Sequence, residues 1–253
     1  MHHYAATLIG RAHRLKQQNC QDFATAASPL PGCAYGLVLD GCGSKQPHTL
    51  HAETRQPSHS EIGATLLGQF AAIWLHQQLL TYSQQTLPNP TATLCQALDT
   101  LHAECHSFLH QLTALFPWSD EAARSRFVAA HLLTTLVGFV VTPETAVFFW
   151  QGDGFLVHNG DITLLDSDNH PDYLAYHLLR PPSATPGFHI QPLPRAGLRW
   201  LAVATDGWQP ALLTQLATPR PSLQLDRWLQ VQAKQPTYFE DDGGLAIAWC
   251  EES

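Results

Sequence analysis

The chain has 253 residues, 45% of them hydrophobic, which is enough for one sizeable core and makes a single domain over 1–253 the expected organisation. Its 21 acidic and 13 basic residues leave a formal net charge of -8. That balance argues against nucleic acid and anionic membranes as general partners, because both reward a basic face, while a local cation site is compatible with it. The opening MHHYAATLIGRAHR is too polar for a secretory leader. The longest apolar stretch, Phe127 to Val141, is broken by His131, Thr134 and Thr135 and falls short of the ~20 residues of a spanning helix. Six cysteines without a CxxC pair read as reduced thiols. A soluble, cytoplasmic protein is expected.

Tyr4 to Gly10 reads as a first strand, followed by the polar RAHRLKQQNCQD and a loop at SPLPGC. Tyr35 to Leu39 is an apolar run of buried-strand type. Residues 44–59 are polar and irregular, a long surface loop that carries His48, His51 and His59. Ser60-Glu61 then opens a helix, with Ile62, Leu66, Leu67, Phe70, Ile73, Trp74 and Leu79 at helical spacing and a stop at Pro88. A second helix is predicted from Thr91 to Leu115, with Leu94, Leu98, Leu101, Phe108 and Leu112 on one face. Two adjacent long helices without a strand between them do not fit a βαβ alternation.

From Phe127 the pattern reads as strands. One hairpin turns near Pro143, and a second turns at Asn159-Gly160, a strong hairpin signal. Leu198 to Thr205 is a strand, Gln209–Leu216 and Leu223–Gln232 are helices, and Gly244–Trp249 is a closing strand. Two sheets with helices outside them are expected.

Aspartates recur where apolar runs end: Asp22 in NCQDF, Asp40 in VLDGCG, Asp206 in ATDGW and Asp241 in FEDDGG. Glycine follows Asp40 and Asp206 directly, so the backbone can turn sharply and present a carbonyl. A single Asp-Gly is most often only a turn. Carboxylates gathered at strand ends, however, repel unless a positive charge lies between them, and a hard divalent cation with oxygen ligands serves that purpose.

The ordered set Asn19–Asp22, Asp40-Gly41-Cys42-Gly43, Gly152-Asp153, Thr205-Asp206-Gly207 and Asp241-Asp242 before LAIAW resembles the metal-dependent protein phosphatases of type 2C. GRAHRLKQQNCQD is similar to the opening of a bacterial branch of that family, and SEIGA at 60–64 looks like its next helix start. The resemblance implies an α+β fold, a four-layer α-β-β-α sandwich with two central, mainly antiparallel sheets. It implies a centre of two Mn²⁺ or Mg²⁺ ions. Asp40 would bridge them, the Gly41 carbonyl would help hold one, and Asp22, Asp206 and Asp241 would complete the shell. Metal-activated water would then attack the phosphorus of a phosphoserine or phosphothreonine in a phosphorylated protein partner.

The sequence departs from the family pattern at several points. The phosphate-binding arginine expected five residues before the first aspartate is Gln17 here, so Arg14, then Lys16, are the candidates. His13 is the nearest histidine to the first motif. The acid expected four residues beyond Asp206 is Pro210, which disfavours a third metal, with Asp153 left either to touch one or to serve only the turn in QGDGF. Asp242 competes with Asp241, and the polar residue expected after the ligand favours Asp241. These departures keep open a catalytically weak or inactive phosphatase-like binding or regulatory module. His102, His106 and His110 share a helical face, read as an exposed or partner-facing stripe because the His-Glu-x-x-His order of zinc hydrolases is absent.

Overall fold

The computed structural model describes residues 1–42, 59–82, 88–168, 170–179 and 187–250. Gly43, His48, His51 and the rest of the expected 44–59 loop up to residue 58 lie outside the described residues. Ten strands and six α-helices follow in the order β1 (His2–Leu8), α1 (Arg11–Lys16), β2 (Phe23–Leu30), β3 (Cys33–Leu39), α2 (Ser60–Tyr82), α3 (Pro90–Ala114), α4 (Glu121–His131), β4 (Leu136–Val141), β5 (Ala146–Gln151), β6 (Gly154–His158), β7 (Asp161–Leu165), β8 (His189–Leu193), β9 (Trp200–Ala204), α5 (Pro210–Leu213), α6 (Ser222–Gln232) and β10 (Gly243–Trp249).

The strands form two five-stranded sheets, ordered β1-β10-β9-β6-β7 and β2-β3-β4-β5-β8, and every neighbouring pair is antiparallel. Alternation along the strands explains the layering. In β3, Tyr35, Leu37 and Leu39 pack with α2 and α3, while Ala34 and Val38 face the other sheet. In β10, Leu245, Ile247 and Trp249 pack with α6, while Ala246 and Ala248 face inward. Three apolar cores thus separate four layers, helix, sheet, sheet and helix, as the family resemblance implies.

Several elements differ from the sequence reading for identifiable reasons. The SPLPGC stretch is not all loop: β2 runs through Phe23–Leu30, a half-buried edge strand that holds Pro29 at a register shift. Phe127–His131 is helix, not strand. Asp120 caps α4 by accepting from the Ala123 amide at 2.7 Å, and Phe127 packs against Trp118 and Phe116. On α2 the buried face is Gly63, Ala64, Leu67, Gly68, Ala71, Leu75 and Leu79, while Ile62, Leu66 and Ile73 are exposed. The histidine stripe is covered in part: His102 is buried and its Nε2 donates to Gln151 Oε1 at 2.9 Å, His106 stacks on His177, and only His110 of the three is exposed. Among the described residues no helix is long and apolar enough to cross a membrane. All six cysteines are free.

Candidate active site

The two sheets meet at one end of the sandwich. β3 and β9 end there, and β2 and β10 begin there, so Asp40, Asp206, Asp22 and the Asp241-Asp242 pair are delivered to one neighbourhood by strand geometry. Thr205 links the sheets at this point. Its hydroxyl donates to Asp22 Oδ2 at 2.6 Å and accepts from the Gly244 amide at 2.7 Å. Nothing about Thr205 beyond its place before Asp206 singled it out in the sequence; the hydroxyl in the Thr-Asp-Gly motif was the available signal.

Asp40 is held through its main chain. Its amide donates to Thr135 Oγ1 at 3.1 Å, and its carbonyl accepts from the Thr135 amide at 3.0 Å. Gly41 follows, with its amide on the Gln21 carbonyl at 3.2 Å and its carbonyl accepting from Ser60 Oγ at 2.7 Å. A carbonyl oxygen has two lone pairs, so this bond leaves one for a further ligand. Ser60 therefore anchors the start of α2 to the Asp-Gly turn, a role its position at a helix start did not reveal.

The electrostatics of the cluster are those of like charges gathered together. Burial pushes the Asp22 carboxyl up to about 8; the Thr205 hydroxyl moderates this, and the nearby Asp242 and Asp206 raise it further. Asp40 is raised well above the ordinary carboxylate range, first by burial and then by Asp22 and Asp206, with Cys42 and Asp153 adding to it. Asp153 lies in the turn after β5; its Oδ2 accepts from Ser167 at 2.7 Å, while its buried Oδ1 has no hydrogen-bond partner. Asp206 is exposed, and the Asp241 side chain is 71% exposed. Carboxylate and carbonyl oxygens that repel one another, with an orphaned carboxylate oxygen beside them, form a donor set that fits a hard divalent cation.

The chain belongs to the protein phosphatase 2C family. The family model matches residues 9–237, ending short of Asp241. The enzymatic class that goes with the family is protein serine/threonine phosphatase, with dependence on a divalent metal. Among solved structures, the chain is similar to the serine/threonine phosphatase Stp1 from Staphylococcus aureus, at 13% identity and a TM-score of 0.61 over 99% of this chain and 95% of that one. It is also similar to the catalytic domain of the serine/threonine protein phosphatase PstP in complex with two manganese ions, at 16% identity and a TM-score of 0.58 over 98% and 97% of the two chains. A third neighbour is PppA, described as a key regulatory component of the type VI secretion system in Pseudomonas aeruginosa, at 16% identity and a TM-score of 0.53 over 99% of each chain. At these identities the likeness is one of fold. No curated protein matches the chain.

The candidate cations are placed less centrally. α1 is docked by its first turn, with the Arg11 and Ala12 amides on the Phe239 and Glu240 carbonyls. Arg14 Nη2 donates to the Ala233 carbonyl at the end of α6 at 3.0 Å, and Lys16 is exposed. Gln17 closes the helix in a left-handed conformation, with φ 56°. His13 Nδ1 lies 2.8 Å from Asp242 Oδ2 and 3.8 Å from Asp241 Oδ1.

Proposed function

We propose that the protein hydrolyses phosphoserine and phosphothreonine in phosphoproteins, using two Mn²⁺ or Mg²⁺ ions held by Asp22, Asp40, the Gly41 carbonyl, Asp206 and Asp241. The observation that carries this reading is the gathering of Asp22, Asp40 and Asp206 at one end of the sandwich, where Asp206 raises the proton affinity of Asp22, and Asp22 and Asp206 raise that of Asp40. When bound, such an ion pair supplies Lewis acidity that activates water near neutral pH and offsets charge on the phosphoryl oxygens. The protein's own part is to keep the carboxylates oriented and close. Thr205 fixes the rotamer of Asp22, and Thr135 and Ser60 fix the backbone of Asp40 and Gly41. Arg14 and Lys16 are the proposed phosphate-binding cations, and Pro210, which opens α5, offers no carboxylate for a third ion. A single phosphatase domain over 1–253, acting in the cytoplasm, completes the reading.

Hydrolysis of p-nitrophenyl phosphate and of a phosphothreonine peptide with Mn²⁺, with and without EDTA, tests it. Metal-dependent turnover of both is expected. One observation favours a non-catalytic module: Nη2 of the Arg14 guanidinium donates to the main-chain carbonyl of Ala233, which leaves only its remaining N–H groups for a phosphate. Tight Mn²⁺ binding with no turnover of either compound would decide for that second reading.

A further inference from the structure

Asp242 is buried, with a side chain 2% exposed, and it is surrounded by donors. Oδ1 accepts from the Gly10 amide at 2.6 Å, and Oδ2 accepts from the Gln21 amide at 2.6 Å and lies 2.8 Å from His13 Nδ1. An ionised carboxylate only accepts, so Nδ1 carries the proton and the imidazole ring is fixed in orientation. The chain also closes on Asp242 by bare backbone contact. A Cβ on Gly10 would collide with the Asp241 main chain, and one on Gly207 would collide with the Asp242 carbonyl oxygen.

These contacts tie together the segments that carry the proposed metal ligands. Gln21 immediately precedes Asp22, Gly207 immediately follows Asp206, and Asp241 immediately precedes Asp242. Asp22 and Asp241, when ionised, repel and would move apart unless their backbones were held. Short, charge-assisted bonds from the Gln21 and Gly10 amides to one buried carboxylate provide that restraint. The doubled acid thus divides its work, with Asp241 turned outward and Asp242 turned inward.

We propose that Asp242, with His13 as its side-chain donor, is the positioning residue of the metal site, holding the Asp22 segment against the Asp241 segment in the arrangement that cations require. The inference rests on the phosphatase reading of that site and assigns a role to two residues which that reading leaves idle. His13 acts here through its Nδ1–H, not through contact with substrate.

The test measures Mn²⁺ affinity of the full chain by calorimetry, with circular dichroism as a check on folding, for wild type, Asp242→Asn, His13→Ala and His13→Asn. Asp242→Asn should weaken Mn²⁺ binding about 10- to 100-fold, because the amide NH₂ now faces a backbone or ring donor. His13→Ala should weaken it about tenfold. Asparagine at position 13 can place its amide nitrogen where Nδ1 stands, so His13→Asn should recover affinity to within about threefold of wild type. Raising Mn²⁺ should restore most of the turnover of His13→Ala. Folded Asp242→Asn and His13→Ala variants with wild-type affinity would overturn the proposal, as would His13→Asn being as impaired as His13→Ala. If Asp242→Asn does not fold, the two His13 variants decide alone. A wild type that binds no Mn²⁺ removes the phosphatase reading as well, whereas tight wild-type binding with unaltered variants removes only the positioning role.

Discussion

Asp22 and Asp242 are both buried carboxylates at the same end of the sandwich, and their surroundings are opposite. Asp242 receives two backbone amides and an imidazole. Asp22 takes one hydroxyl from Thr205 and otherwise feels Asp40, Asp206 and Asp242. A buried charge is tolerated when its lone pairs are satisfied and is costly when it faces its own kind. The satisfied carboxylate belongs to the scaffold; the mutually repelling ones suit the cation site proposed above.

The sharpest way to break this contrast is to remove charge from the mutually repelling set. Asp40→Asn and Asp206→Asn should each lower kcat/KM for a phosphopeptide by roughly a hundredfold or more while circular dichroism stays that of the wild type, in the range seen when a single group that stabilises transition-state charge is lost. Near-normal turnover in either variant would sink the ligand assignment.

A pH titration of the metal-free protein sharpens it further. A carboxyl whose folded pKa is raised, as at Asp22 to about 8, stabilises the fold fully below its unfolded value near 4, and that contribution is lost as pH rises through 8. Half-buried His106, pushed down to about 3, acts in the opposite sense: its contribution is present above the unfolded value near 6.5 and is lost as pH falls through that value toward 3. Between pH 7 and 8 the carboxyl dominates, so metal-free stability should fall by on the order of 1 kcal/mol per pH unit. Denaturant titrations with EDTA at pH 7.0, 7.5 and 8.0 measure this. Added Mn²⁺ should abolish the slope, and a metal-free protein that gains stability over that window contradicts the picture of repelling carboxylates.

Thr205→Val leaves Asp22 without its hydroxyl and the Gly244 amide without its acceptor, and should cost about 2 kcal/mol in urea unfolding of the Mn²⁺-loaded protein. The smallest effect is expected at the cations. Arg14→Gln and Lys16→Gln should each raise KM for a phosphopeptide a few-fold with little change in kcat, as loss of uniform substrate binding does. Equal KM values in both variants and the wild type would remove these side chains from phosphate binding.

Much of this site was legible in the sequence because strand ends and Asp-Gly turns are local signals. Asp40 after Leu39 and Asp206 after Thr205 follow apolar runs that form β3 and β9. What stayed hidden depends on contacts between distant segments. α1 has no buried residues, and its first turn is set by carbonyls more than 200 positions away. Asp242 looked like a spare copy of Asp241 because its donors, Gly10, His13 and Gln21, are as remote. β2 was missed because all eight of its residues are half-buried, which erases the alternation that marks a strand. α4 was read as strand in its second half because FVAA is apolar without a period, although Asp120 and Glu121 carried a helix-start signal.

The pairing of β1 with β10, from His2 opposite Trp249 to Leu8 opposite Gly243, has a consequence for how the enzyme is born. The first sheet cannot zip up on the ribosome until its tenth strand has been synthesised, because one of the opening strand's edges has no template before then. Contacts of such sequence separation are slow to form. On the proposed ligand set, affinity for divalent ions therefore cannot precede synthesis of the segment that supplies Asp241.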